Sequence, residues 1–283
     1  MRLVTYRRNG GRPEVGVLSG DAIAALPAAE FPDVLSILAG GVDARARAEN
    51  AAVKAETVPL ASVTLLAPVP RPPKLICVGL NYRDHAIETG NEIPKIPTIF
   101  NKFPSTTVIA SGDTIILPKN STKPDYEAEL AFVIGRGGRH IPAARAYEHV
   151  FGYTIVNDIS ARDFQAATSQ WLMGKTFDTF APMGPWIVTK DEIPDPHALD
   201  ISTEIGGETL QHSNTREMVF HIPALIEYIS QVVTLEPGDV VATGTPAGVG
   251  FARRPRRWLQ PGEEVIVRIE GIGELRNPIV AES

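Results

Sequence analysis

Three acidic residues have the types and the spacing to bind a cation. Residues 125–134 predict a strand, because the apolar run at 130–134 ends at a glycine. Side chains alternate along a strand, so Glu127 and Glu129 point to the same face. Asp158 follows a second apolar run, which would set it at the end of another strand. Close carboxylates repel each other, and a hard cation such as Mg²⁺, Mn²⁺ or Ca²⁺ removes the repulsion. The three acids therefore suit an open, water-bearing cation site, although Glu127 and Glu129 could equally line the solvated face of an edge strand.

A histidine and a glutamate form a second candidate pair. His85 and Glu88 stand three residues apart, which places them on one face if this stretch is helical. A carboxylate beside an imidazole fixes its tautomer and raises its basicity, as a general base requires. From the spacing alone, a surface helix whose His85 and Glu88 meet only water is the favoured alternative.

Further polar residues give weaker signals. Lys102 interrupts the apolar character of a predicted strand at residues 99–103, and Lys175 lies in a loop without periodicity, where a lysine is usually solvated. A polar cluster that could begin a helix follows Asp158, and it comprises Ser160, Arg162, Asp163 and Gln165.

The glycine-rich stretch after residue 242 has two interpretations. Thr243, Thr245 and the glycines can bring backbone N–H groups close to a ligand anion, or the glycines can serve only a tight turn. The chain contains neither the phosphate-loop nor the dinucleotide-binding glycine motif, so nucleotide binding has no support. Cys77 lies inside a short apolar strand, which favours a buried structural thiol.

The elements that must position these residues predict an α+β fold that is mainly β. Residues 1–66 predict a small N-terminal α+β domain with a hairpin around Asn9 and two helices. Residues 67–74 contain four prolines and predict a stiff connector. Residues 75–283 form the larger domain, which carries every candidate residue.

Composition narrows the class of protein. The chain has 283 residues, 43% of them hydrophobic, and a formal net charge of −6, which argues against a nucleic-acid surface. One cysteine excludes an intrachain disulfide. The sequence shows no secretory signal and no apolar run of membrane-spanning length, so we expect a cytoplasmic protein without a membrane partner.

Five motifs, taken together and in order, resemble the fumarylacetoacetate hydrolase superfamily. They are GLNYRDHAIE, DYEAEL, GYTIVNDISARDFQ, GKTFDTFAPMGPW and GDVVATGTPAGVG. The resemblance covers roughly residues 67–280, and the small N-terminal unit resembles the extra domain of many bacterial members. It implies a mixed β-roll, a metal site and a homodimer.

The resemblance also implies roles for residues at matching positions. Mg²⁺ or Mn²⁺ would be held by the acids that match Glu127, Glu129 and Asp158, and the catalytic residues would be His85, Glu88 and Lys175. The substrate-binding residues would be Arg162, Asp163, Gln165, Lys102, Thr215 and Thr245. Gln211 lies in the same stretch as Thr215.

The implied activity is metal-dependent hydrolysis of a carbon–carbon bond in a 2,4-dioxo acid of acylpyruvate or fumarylpyruvate type. His85, oriented by Glu88, would activate water, and Lys175 would place positive charge near the enolate that leaves or deliver its proton. Three alternatives stay open. They are decarboxylation of an oxaloacetate-type acid, isomerisation of a hydroxymuconate-type acid, and metal binding without turnover.

Overall fold

Strands dominate the computed structural model, which describes residues 1–283 with 35% of them in strands and 22% in α- and 3₁₀-helices together. The strands are β1 Arg2–Arg7, β2 Pro13–Ser19, β3 Ala22–Ala25, β4 Thr57–Pro59, β5 Thr64–Leu65, β6 Leu75–Gly79, β7 Thr98–Lys102, β8 Val108–Ile109, β9 Ile115–Leu117, β10 Pro124–Asp125, β11 Ala128–Ile134, β12 Val150–Asn157, β13 Ser160–Ala161, β14 Ala181–Thr189, β15 Asp200–Ile205, β16 Glu208–Asn214, β17 Val240–Ala242, β18 Glu264–Ile269 and β19 Gly273–Ala281. The helices are α1 Val34–Ala39, α2 Gly41–Lys54, α3 Arg83–Thr89, α4 Pro104–Thr107, α5 Arg162–Gln165, α6 Leu172–Lys175 and α7 Ile222–Ser230. The predicted α+β, mainly β class is confirmed.

The two apolar runs that flank the acidic residues form neighbouring strands at the centre of a large mixed sheet. Its order is β4-β3-β2-β1-β14-β12-β11-β17-β6-β7. All seven residues of β11 are buried, because β12 and β17 flank the strand and side chains cover both faces. This burial rules out the edge-strand interpretation of Glu127 and Glu129.

The N-terminal strands extend the same sheet. Leu3 of β1 pairs with Ile187 of β14, and Leu3 shares one hydrophobic core with Ala131 and Val133 of β11. In the proline-rich connector, Val69 is fully buried in that core. The division of the chain at residues 67–74 stays a prediction, since sheet and core run across it.

A second sheet supports the site from the other side. Its order is β16-β15-β18-β19-β9, and β15 and β16 form a hairpin. Gly206 and Gly207 form its turn with φ angles of +60° and +81°, a region that glycine enters without strain. A short pair, β10 with β13, lies beside the acidic residues and aligns Asp125 with Ser160. No helix is long and apolar enough to cross a membrane.

Candidate metal and active site

The register of β11 and β12 brings the three predicted cation ligands together. Ala128 pairs with Asn157, so Glu127 just before β11 faces Asp158 just after β12, and the Asp158 N–H donates to the Glu127 carbonyl at 2.9 Å. Glu129, two residues along, points to the same face. One oxygen from each of the three buried carboxylates lies within 4.8 Å of the others. The predicted cluster therefore exists as a compact set of oxygen donors.

Three cationic side chains surround the carboxylates, and two of them, Lys102 and Lys175, are buried. Lys175 Nζ donates to Glu127 Oε2 at 2.6 Å and to Asp158 Oδ2 at 2.7 Å. Lys102 Nζ donates to Asp158 Oδ1 and, at 2.9 Å, to the Ile159 carbonyl. These contacts hold Glu127 and Asp158 in fixed orientations.

Arg162 supplies the third cation. Its guanidinium lies 2.6 Å from Glu127 Oε1, and its Nε donates to Asp125 Oδ2 at 2.8 Å. The guanidinium also stacks over the Phe251 ring, 4.5 Å from the centroid. Arg162 thus joins Glu127 to Asp125, an acid that the sequence analysis did not select.

The two glutamates have opposite electrostatic environments. Burial opposes ionisation of Glu127, but Arg162 and Lys175 outweigh it and hold the pKa of its carboxyl at about 2. Glu129 receives one hydrogen bond, from the Gly244 N–H at 2.8 Å, and no side-chain cation bonds to it. Burial, together with the charges of Asp158 and Glu127, raises the pKa of Glu129 well above its usual value.

The difference between the electrostatic environments of Glu127 and Glu129 fits a site for a divalent cation. The cluster holds four carboxylates, from Asp125, Glu127, Glu129 and Asp158, and three side-chain cations, so it carries one net negative charge when all are ionised. Carboxylate oxygens without nitrogen or sulfur donors suit hard cations such as Mg²⁺ or Mn²⁺. A cation bound to Glu129 would remove the repulsion that its neighbours impose.

The predicted histidine–glutamate pair is assembled on α3. His85 Nδ1 lies 3.1 Å from Glu88 Oε1, and the Gly248 N–H donates to the other oxygen of Glu88 at 2.8 Å. His85 is 7% exposed, and its ring meets Phe251 edge to face. His85 is buried, whereas Glu88 stays partly exposed, and the two side chains contact each other. The interpretation of a surface helix whose His85 and Glu88 meet only water is therefore wrong.

The glycine-rich loop after β17 binds anions that belong to the protein itself. In addition to the bonds from Gly244 and Gly248, the Gly250 N–H donates to Asp125 Oδ1 at 2.7 Å and the Phe251 N–H to Asp125 Oδ2 at 3.1 Å. A Cβ atom on Gly250 would lie 1.8 Å from the Arg257 carbonyl oxygen. The glycines of the loop permit close approach, and its N–H groups position three carboxylates of the protein itself, whereas binding of a ligand anion stays a prediction.

Glu127, Glu129 and His85 face one cavity of about 330 Å³. Seven of the predicted residues line it, and they are His85, Glu127, Glu129, Arg162, Gln165, Lys175 and Thr245. Its other polar lining includes Thr89 and Asn91, and its aromatic lining consists of Phe100, Trp171 and Phe251.

Three residues predicted to bind substrate lie outside this cavity. Lys102 is fully buried behind Asp158. Asp163 accepts hydrogen bonds from Ser121 Oγ at 2.7 Å and from the Thr122 N–H at 2.9 Å. Thr215 is fully buried, and its hydroxyl accepts from the Leu199 N–H at 2.9 Å. Each side chain is committed to protein partners, so these positions lend no support to direct contact with substrate.

Several residues of the site carried no strong sequence signal. Asp125 could have been found from the sequence, because it stands two residues before Glu127 and continues the alternation that selected Glu127 and Glu129. Phe100 lies beneath Lys175, with Nζ 5.0 Å from the ring centroid. Trp171 contacts Phe100 edge to face at 5.5 Å. Isolated aromatic residues in loops and edge strands give no pattern from which such contacts can be predicted.

Two family models and a curated relative match this chain over nearly its full length. The family model for the C-terminal domain of fumarylacetoacetate hydrolase matches residues 74–280, and the Rv2993c-like N-terminal model matches residues 1–68. The mitochondrial oxaloacetate tautomerase Fahd2a of Rattus norvegicus is 46% identical over 99% of this chain and 92% of its own length.

Solved structures of an isomerase and of a hydrolase are also similar to this chain over its full length. The 5-carboxymethyl-2-hydroxymuconate delta-isomerase of Mycobacterium smegmatis is 38% identical, with a TM-score of 0.81 and full coverage of both chains. The maleylpyruvate hydrolase of Sphingobium sp. SYK-6, in complex with manganese(II) and pyruvate, is 32% identical, with a TM-score of 0.83 and full coverage of both chains.

Proposed function

The chain belongs to the fumarylacetoacetate hydrolase superfamily, and we propose that it is a metal-dependent enzyme that moves a proton at the carbon beside the keto group of a 2-oxo acid. Its proposed reaction is keto–enol tautomerisation of an oxaloacetate-type dicarboxylate. One observation carries the proposal: an assembled His85–Glu88 pair and a buried three-carboxylate cluster line or adjoin the same cavity.

The proposed cofactor is Mg²⁺ or Mn²⁺, held by Glu127, Glu129 and Asp158. The uncompensated carboxylate of Glu129 supports this assignment, as does manganese in the Sphingobium maleylpyruvate hydrolase. When bound, the cation polarises the keto group of the substrate and stabilises negative charge on its oxygen.

His85 is the proposed general base. With Nδ1–H donated to Glu88, its Nε2 is the basic nitrogen, and it takes a proton from the carbon next to the keto group. Glu88 stabilises the positive charge that the imidazole then carries, and the imidazolium gives the proton to the enolate oxygen, which yields the enol. The reverse sequence moves the enol O–H proton to the carbon and yields the keto form. The close contact with Phe251 keeps the imidazole out of bulk water.

Lys175 and Arg162 supply fixed positive charge. Burial lowers the pKa of Lys175, but Asp158 and Glu127 reverse that effect and raise the pKa above its ordinary value. Lys175 therefore stays protonated, which favours electrostatic stabilisation over the proton delivery considered from the sequence. Arg162 lines the cavity beside Gln165, and its fixed positive charge would attract a substrate carboxylate.

Carbon–carbon hydrolysis, the leading expectation from the sequence, is the second candidate. The same His85–Glu88 pair can activate water, and the Sphingobium maleylpyruvate hydrolase shares the fold over its full length. Two relatives with higher identity, the tautomerase at 46% and the isomerase at 38%, carry names that describe proton transfer without added water. Proton transfer is therefore placed first.

The test is a metal-loaded assay with three readouts. Decay of the enol absorbance of freshly dissolved oxaloacetate measures tautomerisation, coupled reduction of pyruvate measures decarboxylation, and loss of acetylpyruvate absorbance measures hydrolysis. We expect enol decay well above the uncatalysed rate, abolished by a chelator and by His85→Asn and unchanged in the exposed-surface control His212→Asn. Hydrolysis of acetylpyruvate without faster enol decay would reverse the order of the two candidates. Wild-type rates equal to the uncatalysed rates in all three readouts would support metal binding without turnover.

A further inference from the structure

The helix that carries the proposed base has little hydrophobic anchorage. Helix α3 has seven residues, its N-cap residue Tyr82 makes no side-chain capping bond, and only His85 and Ala86 are buried. Ile87 is 75% exposed. A helix this short is marginal in water on its own. Specific polar contacts must therefore fix the direction in which His85 points.

One carboxylate connects the backbone of His85 to the second sheet. Asp84 Oδ1 accepts from the His85 N–H at 2.7 Å, and Asp84 Oδ2 accepts from Ser213 Oγ at 2.6 Å. Hydrogen bonds to an ionised acceptor are short and stronger than neutral ones. At the other end of α3, Gly248 binds Glu88, so the helix is held near both ends.

The strand that supplies Ser213 also supports the carboxylate cluster. Gln211 lies two residues earlier on β16, so both side chains project from the same face. Gln211 Oε1 accepts from the Ala128 N–H at 3.0 Å, between Glu127 and Glu129. Its Nε2 donates to Thr245 Oγ1 at 2.8 Å. One face of one paired strand thus contacts both the cation-binding strand and the helix of the base.

We infer that Ser213 and Asp84 are positioning residues, which set the place of His85 relative to the carboxylate cluster through β16. Neither side chain lines the cavity, so neither is a catalytic residue. The inference deepens the proposed function and rests on it for its kinetic consequence. Its structural consequence, the anchoring of α3, can be measured without any substrate.

The test compares three variants. Ser213→Ala removes the hydroxyl that holds Asp84, and Ser213→Thr restores a hydroxyl. Ser202→Ala is the matched control, because Ser202 lies on the paired strand β15, is partly buried and makes no side-chain hydrogen bond. The readouts are kcat and KM for enol oxaloacetate at saturating Mg²⁺, calorimetric Mn²⁺ affinity, and backbone hydrogen exchange at residues 83–89.

We expect Ser213→Ala to lower kcat about 10- to 100-fold, the penalty for displacing a catalytic group by an ångström or less. KM and Mn²⁺ affinity should stay within twofold, and exchange should accelerate at residues 83–89 alone. Ser213→Thr should recover most of kcat, and Ser202→Ala should match the wild type.

The inference is overturned if Ser213→Ala keeps wild-type exchange at residues 83–89, or if its exchange rises throughout the second sheet as in a destabilised fold. Equal losses in Ser213→Ala and Ser202→Ala would also overturn it. If the wild type turns over no 2-oxo acid, the proposed function fails, and the exchange measurement still decides whether Ser213 anchors α3.

Discussion

Replacing Glu88 with Gln tests the proposed base most directly. The substitution keeps the shape of the side chain, and the amide oxygen can still accept the Gly248 N–H. It removes the negative charge that faces His85 Nδ1 at 3.1 Å. The imidazole then loses the partner that fixes its tautomer and stabilises it once it has taken a proton.

The size of the effect follows from that distance. Two unit charges 3.1 Å apart interact by roughly 1.3 kcal/mol in water and by roughly 5 kcal/mol at an effective dielectric constant of about 20. The two side chains are 9% and 22% exposed, so the environment is closer to the second value. We therefore expect kcat to fall about 10²- to 10⁴-fold, the usual contribution of a positioned general base.

The assay measures kcat for enol oxaloacetate and for acetylpyruvate at saturating Mg²⁺, with Mn²⁺ affinity measured by calorimetry. Both reactions use the base and should fall together, whereas loss of CO₂ from oxaloacetate needs no base and should fall less. Glu92→Gln, an exposed change on the loop after α3, is the control. A kcat within twofold of the wild type on both substrates would refute the role of the pair. A parallel loss of Mn²⁺ affinity would assign Glu88 to the metal site instead.

Three further outcomes are expected. Glu129→Gln should weaken Mn²⁺ binding by at least about tenfold, because a hard cation loses a charged oxygen, and unchanged calorimetric affinity would contradict the proposed ligand set. Burial and His221 lower the pKa of His197 to about 4, below its unfolded value of about 6.5, so its neutral form stabilises the fold above pH 6.5 and that stability is lost as the pH falls to 4. Urea unfolding of His197→Gln, whose amide can still accept the Ile222 N–H, should show about 1–2 kcal/mol less loss over this range than the wild type, and an unchanged pH profile would count against the assignment. The chain should form a homodimer at micromolar concentration, and a monomer mass by light scattering would contradict this expectation.

Local periodicity was enough to find the main groups of the site. Alternation along one strand selected Glu127 and Glu129, and the helical spacing of three residues selected His85 and Glu88. Both signals depend on backbone geometry within one element, so they survive folding unchanged. The resemblance to a known family then favoured the functional interpretation of His85 and Glu88 over the surface helix.

Contacts between distant elements could not be predicted in this way. Lys102 and Lys175 meet at Asp158 from β7 and α6, across 56 and 17 residues. Each lysine appears in the sequence as a single charge in an edge strand or a loop, where solvation is the usual outcome. Only the tertiary fold shows that both are buried and paired.

The N-terminal segment also makes a contact between distant elements that the sequence could not predict. The hairpin of β1 and β2 was predictable, because its turn and its apolar runs are adjacent in sequence. The pairing of Leu3 with Ile187 joins residues that are far apart in the sequence, and no local pattern encodes it. A proline-rich stretch indicates a break in regular structure, but it does not show that the sheet continues on the other side.

The charge balance of the cluster explains why the protein's own cations do not replace a metal ion. Lys175 and Arg162 approach Glu127, and Lys102 and Lys175 approach Asp158, while Glu129 receives only a backbone N–H. When all seven groups are ionised and no metal is bound, the cluster carries one net negative charge, which would repel an anionic substrate. A divalent cation changes that net charge to one positive, which attracts a carboxylate and removes the unfavourable environment of Glu129. We therefore expect cation binding and substrate binding to be coupled through Glu129, the carboxylate to which no side-chain cation bonds.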